Sequence, residues 1–157
     1  MLIIESGGTK SSWNLVGQKE YMFDGINPNI HSEEHIHNIL IKAKEKLQDK
    51  NIESIEFYGA GCSTTETCFK IETLLKNYFD CKISVNHDLL AACRAGLQNE
   101  SGLVGILGTG SNACYYDGST ILDEKISLGY ILGDEGGGAD LGKRLVKLYV
   151  ENLLPNS

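Results

Sequence analysis

The spacing of apolar residues predicts a chain that opens with strands and then alternates helices with strands. Apolar and β-branched runs at 2–5, 12–17 and 20–24, separated by short polar turns, predict three strands, and the glycine turn after the first strand predicts a hairpin. Apolar residues at helical spacing predict a helix over 33–49, and alternation at 54–58 predicts a fourth strand. The first third of the chain therefore combines an antiparallel hairpin with the start of an αβ alternation.

The remaining sequence continues the alternation and ends in a second set of hairpins. Ser63 followed by Glu66 predicts a capping box that opens the second helix. A strand at 81–86 and a helix of small residues at 89–97 come next. Three strands and a last helix complete the pattern, at 103–107, 112–116, 119–123 and after the Gly-rich segment 133–138. The order β-β-β-α-β-α-β-α-β-β-β-α predicts an α/β fold with a mixed, five-stranded type of sheet flanked by helices.

Length and composition favour one compact lobe over residues 1–157. The chain has 157 residues and 41% hydrophobic content, which suffices for a core. Its net charge of -7, without a run of five Lys and Arg, argues against a nucleic-acid groove or an anionic membrane surface as partner. The charge does not exclude a phosphate ligand, because backbone amides bind anions without any net positive charge.

The five cysteines are odd in number and scattered, and no CxxC pair occurs. This spacing favours free thiols in a reducing compartment over a disulfide framework or a zinc site. No apolar run approaches the length of a membrane span. We therefore expect a cytoplasmic protein without a membrane partner.

Two glycine-containing turns are the first candidates for ligand binding. We call residues 6–10 (SGGTK) the first glycine turn and residues 108–112 (GTGSN) the second glycine turn. Glycine lets the backbone approach a ligand closely, and successive amides in such a turn form an anion-binding concavity. Two turns of this kind that face each other could hold a polyphosphate. Each turn taken alone is more often an ordinary tight hairpin.

Acidic residues at the ends of predicted elements are the second set of candidates. Glu5 ends the first strand and could hold Mg²⁺ directly or through water, although it could equally be a solvated strand end. Asp88 follows a strand and could accept the proton of an attacking hydroxyl, although an Asp in this place is more often a helix N-cap. Asp134 and Glu135 lie in a Gly-rich loop, where a surface turn is the alternative.

Amide side chains around Pro28 could recognise a sugar. Asn27 and Asn29 each offer a donor and an acceptor, which suits hydroxyl and acetamido groups, although a polar turn before a helix is the simpler interpretation.

A different interpretation starts from Gly59 and Gly61, which follow a strand and open a helix in the outline of a dinucleotide-binding unit. Thr64 occupies the position of the motif's third glycine, and this weakens the hypothesis of a nicotinamide dehydrogenase.

Four motifs in order resemble those of one family of kinases. Residues 3–13 (IIESGGTKSSW) resemble the first phosphate motif of the N-acetylglucosamine kinases and the wider BadF/BadG/BcrA/BcrD ATPase family. Residues 85–92 (VNHDLLAA) resemble the segment with the catalytic aspartate, residues 107–112 (LGTGSN) the second phosphate motif, and residues 132–136 (LGDEG) the sugar-proximal loop. The resemblance implies a ribonuclease-H-like lobe of the actin-, hexokinase- and chaperone-like ATPases.

The resemblance also implies a role for each matching residue. It implies that ATP and Mg²⁺ are the cofactors and that an amino sugar such as N-acetylglucosamine is the substrate. Asp88 would be the general base for the sugar hydroxyl, and Glu5, where the family usually has Asp, would serve the metal. The phosphate-binding residues would be Gly7, Gly8, Thr9, Lys10, Gly108, Thr109, Gly110 and Ser111, and the sugar-binding residues would be Asn29, Asn112 and Asp134.

The same resemblance implies that a second lobe completes the nucleotide site in this superfamily, and we find none in the sequence. We therefore expect this chain alone to bind nucleotide weakly and to be poorly active. A homodimer is a further expectation. Two other functions on the same fold stay open: a non-catalytic sugar sensor, and an ATPase that activates a radical enzyme through an iron–sulfur cluster held by matched cysteines.

Overall fold

The computed structural model describes residues 1–126 and 128–154. Within it the chain divides into two compact units, Met1–Ala91 and Ala92–Ser157. The predicted single lobe includes residue 127 and residues 155–157, which lie outside the described part of the chain. We describe each unit by itself.

The first unit is a five-stranded mixed sheet with helices, as the sequence predicts. The strand order is β3-β2-β1-β4-β5, with β2 antiparallel to both β1 and β3, and with β1, β4 and β5 parallel to one another. The antiparallel half comes from two tight turns, and the parallel half needs the crossover helices. The elements are β1 (Leu2–Ser6), β2 (Lys10–Leu15), β3 (Glu20–Asp24), α1 (Glu33–Leu47), β4 (Ser54–Gly59), α2 (Thr65–Lys76) and β5 (Lys82–His87).

The core of the first unit lies between the sheet and the apolar faces of α1 and α2. Helix α1 buries Ile36, Ile39, Leu40, Ala43 and Leu47, the residues whose helical spacing predicted it. Alternate residues of β1 and β2, including Leu2, Ile4 and Trp13, face the same core. This packing holds the strands in one register, which in turn sets the positions of the loops that follow them.

Helix α3 (Asp88–Gly96) begins in the first unit and ends in the second. The second unit contains an antiparallel sheet of order β6-β7-β8. Its elements are β6 (Gly102–Leu107), β7 (Ser111–Tyr116), β8 (Ile121–Glu124), α4 (Gly129–Leu132) and α5 (Gly138–Val150). The sequence predicted all of these except α4, a single turn too short to show a periodic pattern.

One local prediction differs from the structure. The N-cap of α2 is Thr64 rather than Ser63, and the capping box is completed by Thr67 rather than Glu66. The hydroxyls of two threonines can make the same two hydrogen bonds as a Ser–Glu pair, so the capping box forms one residue later than predicted.

In α5, the apolar residues Leu141, Leu145 and Tyr149 are exposed.

No helix in residues 1–126 and 128–154 combines the length and the apolar character that crossing a membrane requires.

We expect truncation of Leu40 to measure the contribution of the α1 face. Leu40 is 0% exposed, and its neighbour Ile41 is 44% exposed. Leu40→Ala should lower the free energy of unfolding by about 2–5 kcal/mol, because it removes buried apolar surface and leaves a cavity. Ile41→Ala is the matched control and should cost far less. Equal losses in urea denaturation would contradict the assignment of the buried face.

Candidate functional site: the strand ends of the first unit and the second glycine turn

The three parallel strands of the first unit end at the same level of the sheet. Ser6, the last residue of β1, is paired with Gly59, the last residue of β4, and Gly59 is paired with His87, the last residue of β5. The segments that follow these strands therefore start side by side. In open α/β sheets, ligands bind outside the carboxyl ends of the strands.

Ser6 joins the loops at this edge. Its hydroxyl accepts a hydrogen bond from the Ile26 amide at 2.7 Å and donates one to the Ile26 carbonyl at 3.1 Å. The carbonyl of Ser6 accepts from the Ala60 amide at 2.8 Å. Because Ser6 is fully buried, these bonds form in a low-dielectric environment and fix two loops against β1.

The first glycine turn is closed against the loop that follows β3. The Gly7 amide donates to the Lys10 carbonyl, and the Gly25 amide donates to the Thr9 carbonyl, both at 3.0 Å. A Cβ at Gly25 would lie 2.5 Å from the Gly7 carbonyl oxygen, so only glycine allows this approach. The turn is therefore held by backbone contacts, and Gly7 and Gly8 present backbone rather than side chains.

The predicted sugar-binding amides contact the loop after β4. The Asn27 carbonyl Oδ1 accepts from the Asn29 amide at 2.9 Å, and Asn29 Nδ2 donates to the Gly61 carbonyl at 3.4 Å. Gly61 has a φ of +83°, and a Cβ there would lie 2.3 Å from Asn27 Oδ1. Gly61 thus provides both the left-handed backbone and the space that these two side chains need.

Asp88 lies at the junction of β5 and α3. Its Oδ1 accepts from the Leu89 amide at 3.0 Å and is 3.0 Å from His87 Nε2. Burial raises the pKa of the nearby Cys62 thiol to about 12, and the charges of Cys68 and Asp88 raise this pKa further. Asp88 therefore lies directly after a strand, as predicted, and contacts an amide at the start of α3; its role as a proton acceptor stays a prediction.

Glu5 is exposed and lies one residue before Ser6 on β1. By the alternation of the strand its side chain faces away from the core side that Ile4 and Ser6 occupy. An exposed carboxylate beside the first glycine turn fits Mg²⁺, which proteins bind through one or two carboxylates while phosphate oxygens and water fill the other positions.

The second glycine turn lies in the second unit and packs against the start of α5. The Gly108 carbonyl accepts from the Gly138 amide at 2.8 Å, and the Thr109 carbonyl accepts from the Ala139 amide at 2.9 Å. The Gly108 amide donates within the turn to the Gly110 carbonyl at 2.9 Å. The turn therefore satisfies the first amides of α5, which has no side-chain cap.

Asp134 is in contact with this turn, as its assignment to the same site requires. Its Oδ1 accepts from the Ser111 amide at 3.3 Å. A Cβ at Gly110 would lie 2.7 Å from the Asp134 carboxylate, so the carboxylate lies directly against the turn. Asp134 has a φ of +58°, in the left-handed region that Asp and Asn adopt more often than other residues with side chains.

Asn112 and Glu135 make other contacts. Asn112 Nδ2 donates to Glu124 at 2.7 Å, and its Oδ1 accepts from the Ala113 amide at 2.8 Å. Both ends of this amide are thus used within the second unit. The Glu135 carboxylate pairs with Lys125 at 2.8 Å, and this hydrogen bond holds the pKa of Glu135 below its usual value.

The structure thus assembles two groups of predicted residues, one in each unit. Glu5, the first glycine turn, Asn29 and Asp88 lie at one strand edge, whereas Asp134 lies against the second glycine turn. How the two groups face each other stays a prediction. Sequence reasoning missed Ser6 and Gly61 as organising residues, although both lay inside motifs that it singled out, and it did not consider His87.

We expect Ser6→Ala to destabilise the protein by about 1–3 kcal/mol, because it leaves the buried Ile26 amide without its acceptor. Ser101→Ala, at an exposed position, is the control and should change stability little. Urea denaturation monitored by circular dichroism measures both. A loss for Ser6→Ala no larger than that of the control would show that its hydrogen bonds do not hold these loops.

Gly61→Ala should displace the Asn27 and Asn29 side chains, and Gly17→Ala is the matched control. Gly17 has a similar φ of +78°, but nothing lies within 4 Å of a Cβ built there. Both substitutions incur the left-handed backbone penalty, so only Gly61→Ala adds a clash with Asn27. We expect the larger loss of stability, and shifted Asn27 and Asn29 side-chain amide signals in NMR spectra, for Gly61→Ala alone. Equal effects of the two variants would contradict the contact.

Comparison with solved structures extends the resemblance inferred from the sequence. A proposed N-acetylglucosamine kinase of Porphyromonas gingivalis is 33% identical, covers 100% of this chain and superposes with a TM-score of 0.88. A proposed N-acetylglucosamine kinase of Chromobacterium violaceum is 18% identical over 99% of this chain, with a TM-score of 0.70. MreB5 of Spiroplasma citri, solved with ADP, is 11% identical over 79% of this chain, with a TM-score of 0.64.

The chain spans 58%, 60% and 51% of the lengths of these three proteins, respectively. No protein-family model matches the sequence, and no curated protein matches it. Membership of the BadF/BadG/BcrA/BcrD family therefore stays a prediction. The two matches below 25% identity show the fold alone, and the 33% match extends the likeness to sequence. The predicted resemblance is confirmed: in sequence and fold the chain is similar to the N-acetylglucosamine kinases, within the actin-like ATPase fold.

Proposed function

We propose that the chain is part of an ATP-dependent sugar kinase that phosphorylates N-acetylglucosamine or a related amino sugar. The 33% identity to a proposed kinase of that sugar, over the whole of this chain, supports the substrate class. The observation that carries the reaction type is the placement of Asp88 at the strand edge, level with the end of the strand that enters the first glycine turn. Because the chain spans 58% of that relative, the activity of the whole protein is part of the proposal.

Asp88 would act as the general base. A carboxylate that accepts the proton of a sugar hydroxyl as the hydroxyl attacks phosphorus raises the rate of phosphoryl transfer. Its Oδ1 already accepts from the Leu89 amide, which orients the carboxyl group at the start of α3. Asn29, on the neighbouring loop, would help to hold the sugar, since its Oδ1 can accept from a hydroxyl or an acetamido N–H.

The two glycine turns would hold the phosphates of ATP. In the first turn, the Gly7 amide already donates to the Lys10 carbonyl, so Gly8 and Thr9 are the better backbone donors, and Lys10 adds a positive charge. In the second turn, Gly108 and Ser111 donate within the protein, which leaves the Thr109 and Gly110 amides as the better phosphate donors in the described part of the chain. Mg²⁺ held by Glu5 would neutralise phosphate charge. The second glycine turn supports a nucleotide site only partly, because its Gly108 and Ser111 amides already donate to groups of the protein.

Asp134 and Asn112 are the remaining proposed sugar ligands, and they differ in how many of their hydrogen-bonding atoms are available. The Asp134 carboxylate already accepts from the Ser111 amide and has further lone pairs for a hydroxyl. Asn112 would first have to exchange its contacts with Glu124 and Ala113. Asp134 is therefore the stronger of the two proposed sugar ligands.

A cytoplasmic location and a homodimer are also part of the proposal. The five free cysteines support the location, and the exposed apolar side chains of α5 support the homodimer.

Replacement of Asp88 tests the proposed reaction. With the chain in excess over labelled Mg-ATP, N-acetylglucosamine should become phosphorylated slowly, and Asp88→Asn should reduce this rate by about 10²–10⁴-fold because the proton acceptor is lost. Asp80→Asn changes an exposed carboxylate and should leave the rate unchanged. Absence of sugar-dependent transfer by the whole protein would refute the kinase. Sugar binding without transfer would instead favour a non-catalytic sugar sensor.

A further inference from the structure

We propose that His87 is a positioning residue for Asp88: it holds one carboxylate oxygen so that the other accepts the proton of the substrate. This inference rests on the proposed function, because it assigns a second residue to the same reaction. It starts from one contact. His87 Nε2 lies 3.0 Å from Asp88 Oδ1, and the two side chains are only 17% and 22% exposed.

The contact defines which imidazole nitrogen carries a proton. An ionised carboxylate only accepts hydrogen bonds, so Nε2 of His87 must be the donor. A neutral imidazole donates from Nε2 only in the tautomer that is protonated there, and an imidazolium donates from both nitrogens. In either state the hydrogen bond has an ionised acceptor, which makes it stronger than a bond between neutral groups.

The two donors meet at one oxygen of Asp88. The Leu89 amide also donates to Oδ1, at 3.0 Å, so Oδ1 accepts from the backbone and from the imidazole together. A carboxyl group bound at one oxygen by two donors from different directions can no longer rotate freely about its terminal bond. Oδ2 is then the oxygen that takes the substrate proton, and the geometry before reaction is close to the one that reaction needs.

Two features of the surroundings support this role. The Cys62 thiol lies near Asp88, and its pKa of about 12 keeps it neutral at physiological pH, so it adds no charge to the carboxylate. The position of His87 is set by the sheet, because it is the last residue of β5 and is paired with Gly59. A rigid strand end places the imidazole more accurately than a loop would.

Two-bond ¹H–¹⁵N NMR spectra of the chain labelled with ¹⁵N-histidine test the contact without any need for activity. We expect His87 Nε2 to carry a proton that exchanges slowly with water, and Asp88→Ala to accelerate this exchange. An unprotonated Nε2 in the wild type would overturn the proposal, since such a nitrogen cannot donate to Asp88. Unchanged exchange in Asp88→Ala would do the same.

The kinetic arm separates positioning from a general structural role. In the single-turnover assay, His87→Leu should lower the rate at saturating sugar at least about tenfold while the half-saturating sugar concentration stays the same, because misplacement of the base affects the reaction more than binding. His87→Gln retains an N–H donor and should recover most of the rate. His37→Leu, which removes a histidine bonded to Tyr78 instead, is the matched control and should leave the rate unchanged.

Equal rates for His87→Leu and His87→Gln, or a loss confined to sugar affinity, would overturn the positioning role. Absence of turnover in the whole protein would refute the proposed function, and the NMR result would then decide by itself whether His87 holds Asp88.

Discussion

The candidate site of the first unit depends on the register of three parallel strands and on one buried hydroxyl that exploits it. Because β1, β4 and β5 end at Ser6, Gly59 and His87 in direct register, the segments that follow them begin at one level. The Ser6 hydroxyl and carbonyl then bind Ile26 and Ala60, which lie on two different loops. A buried polar residue is costly unless its hydrogen bonds are satisfied, and here the same bonds that satisfy Ser6 also fix the loops.

The two units share a local arrangement in which a glycine-containing hairpin turn packs against a polar loop. Each contains an antiparallel three-stranded meander whose first hairpin turn contains glycine, and in each the turn packs against a polar loop. In the first unit Gly25 lies against the turn and the nearby loop carries Asn27 and Asn29. In the second unit Gly137 lies against the turn and the loop carries Asp134. Glycine is needed at these contacts because backbone or a carboxylate occupies the space of a Cβ, so a glycine and a loop with polar side chains occur together.

The sequence analysis predicted the helices and strands better than the contacts between them. Helix α1 and the position of Asp88 at the start of a helix were predicted because periodicity and element ends are visible in the chain itself. The N-cap of α2 was misplaced by one residue because Ser63, Thr64 and Thr67 can all cap a helix, and only the backbone geometry selects among them. The contact between His87 and Asp88 could not be derived, since adjacent residues of a regular strand point to opposite faces and only the turn into α3 brings the two side chains together.

By itself, the sequence determined the order of strands and helices, the two glycine turns and the carboxylates at element ends, because local periodicity and turn chemistry depend on neighbouring residues alone. The tertiary structure decided which of these features meet. Strand register, the burial of Ser6, the space at Gly61 for two asparagine side chains and the contact of Asp134 with Gly110 all depend on residues far apart in the chain. Such contacts arise only when the packed core holds the sheet in a single register, and this physical condition is not visible in any one segment of the sequence.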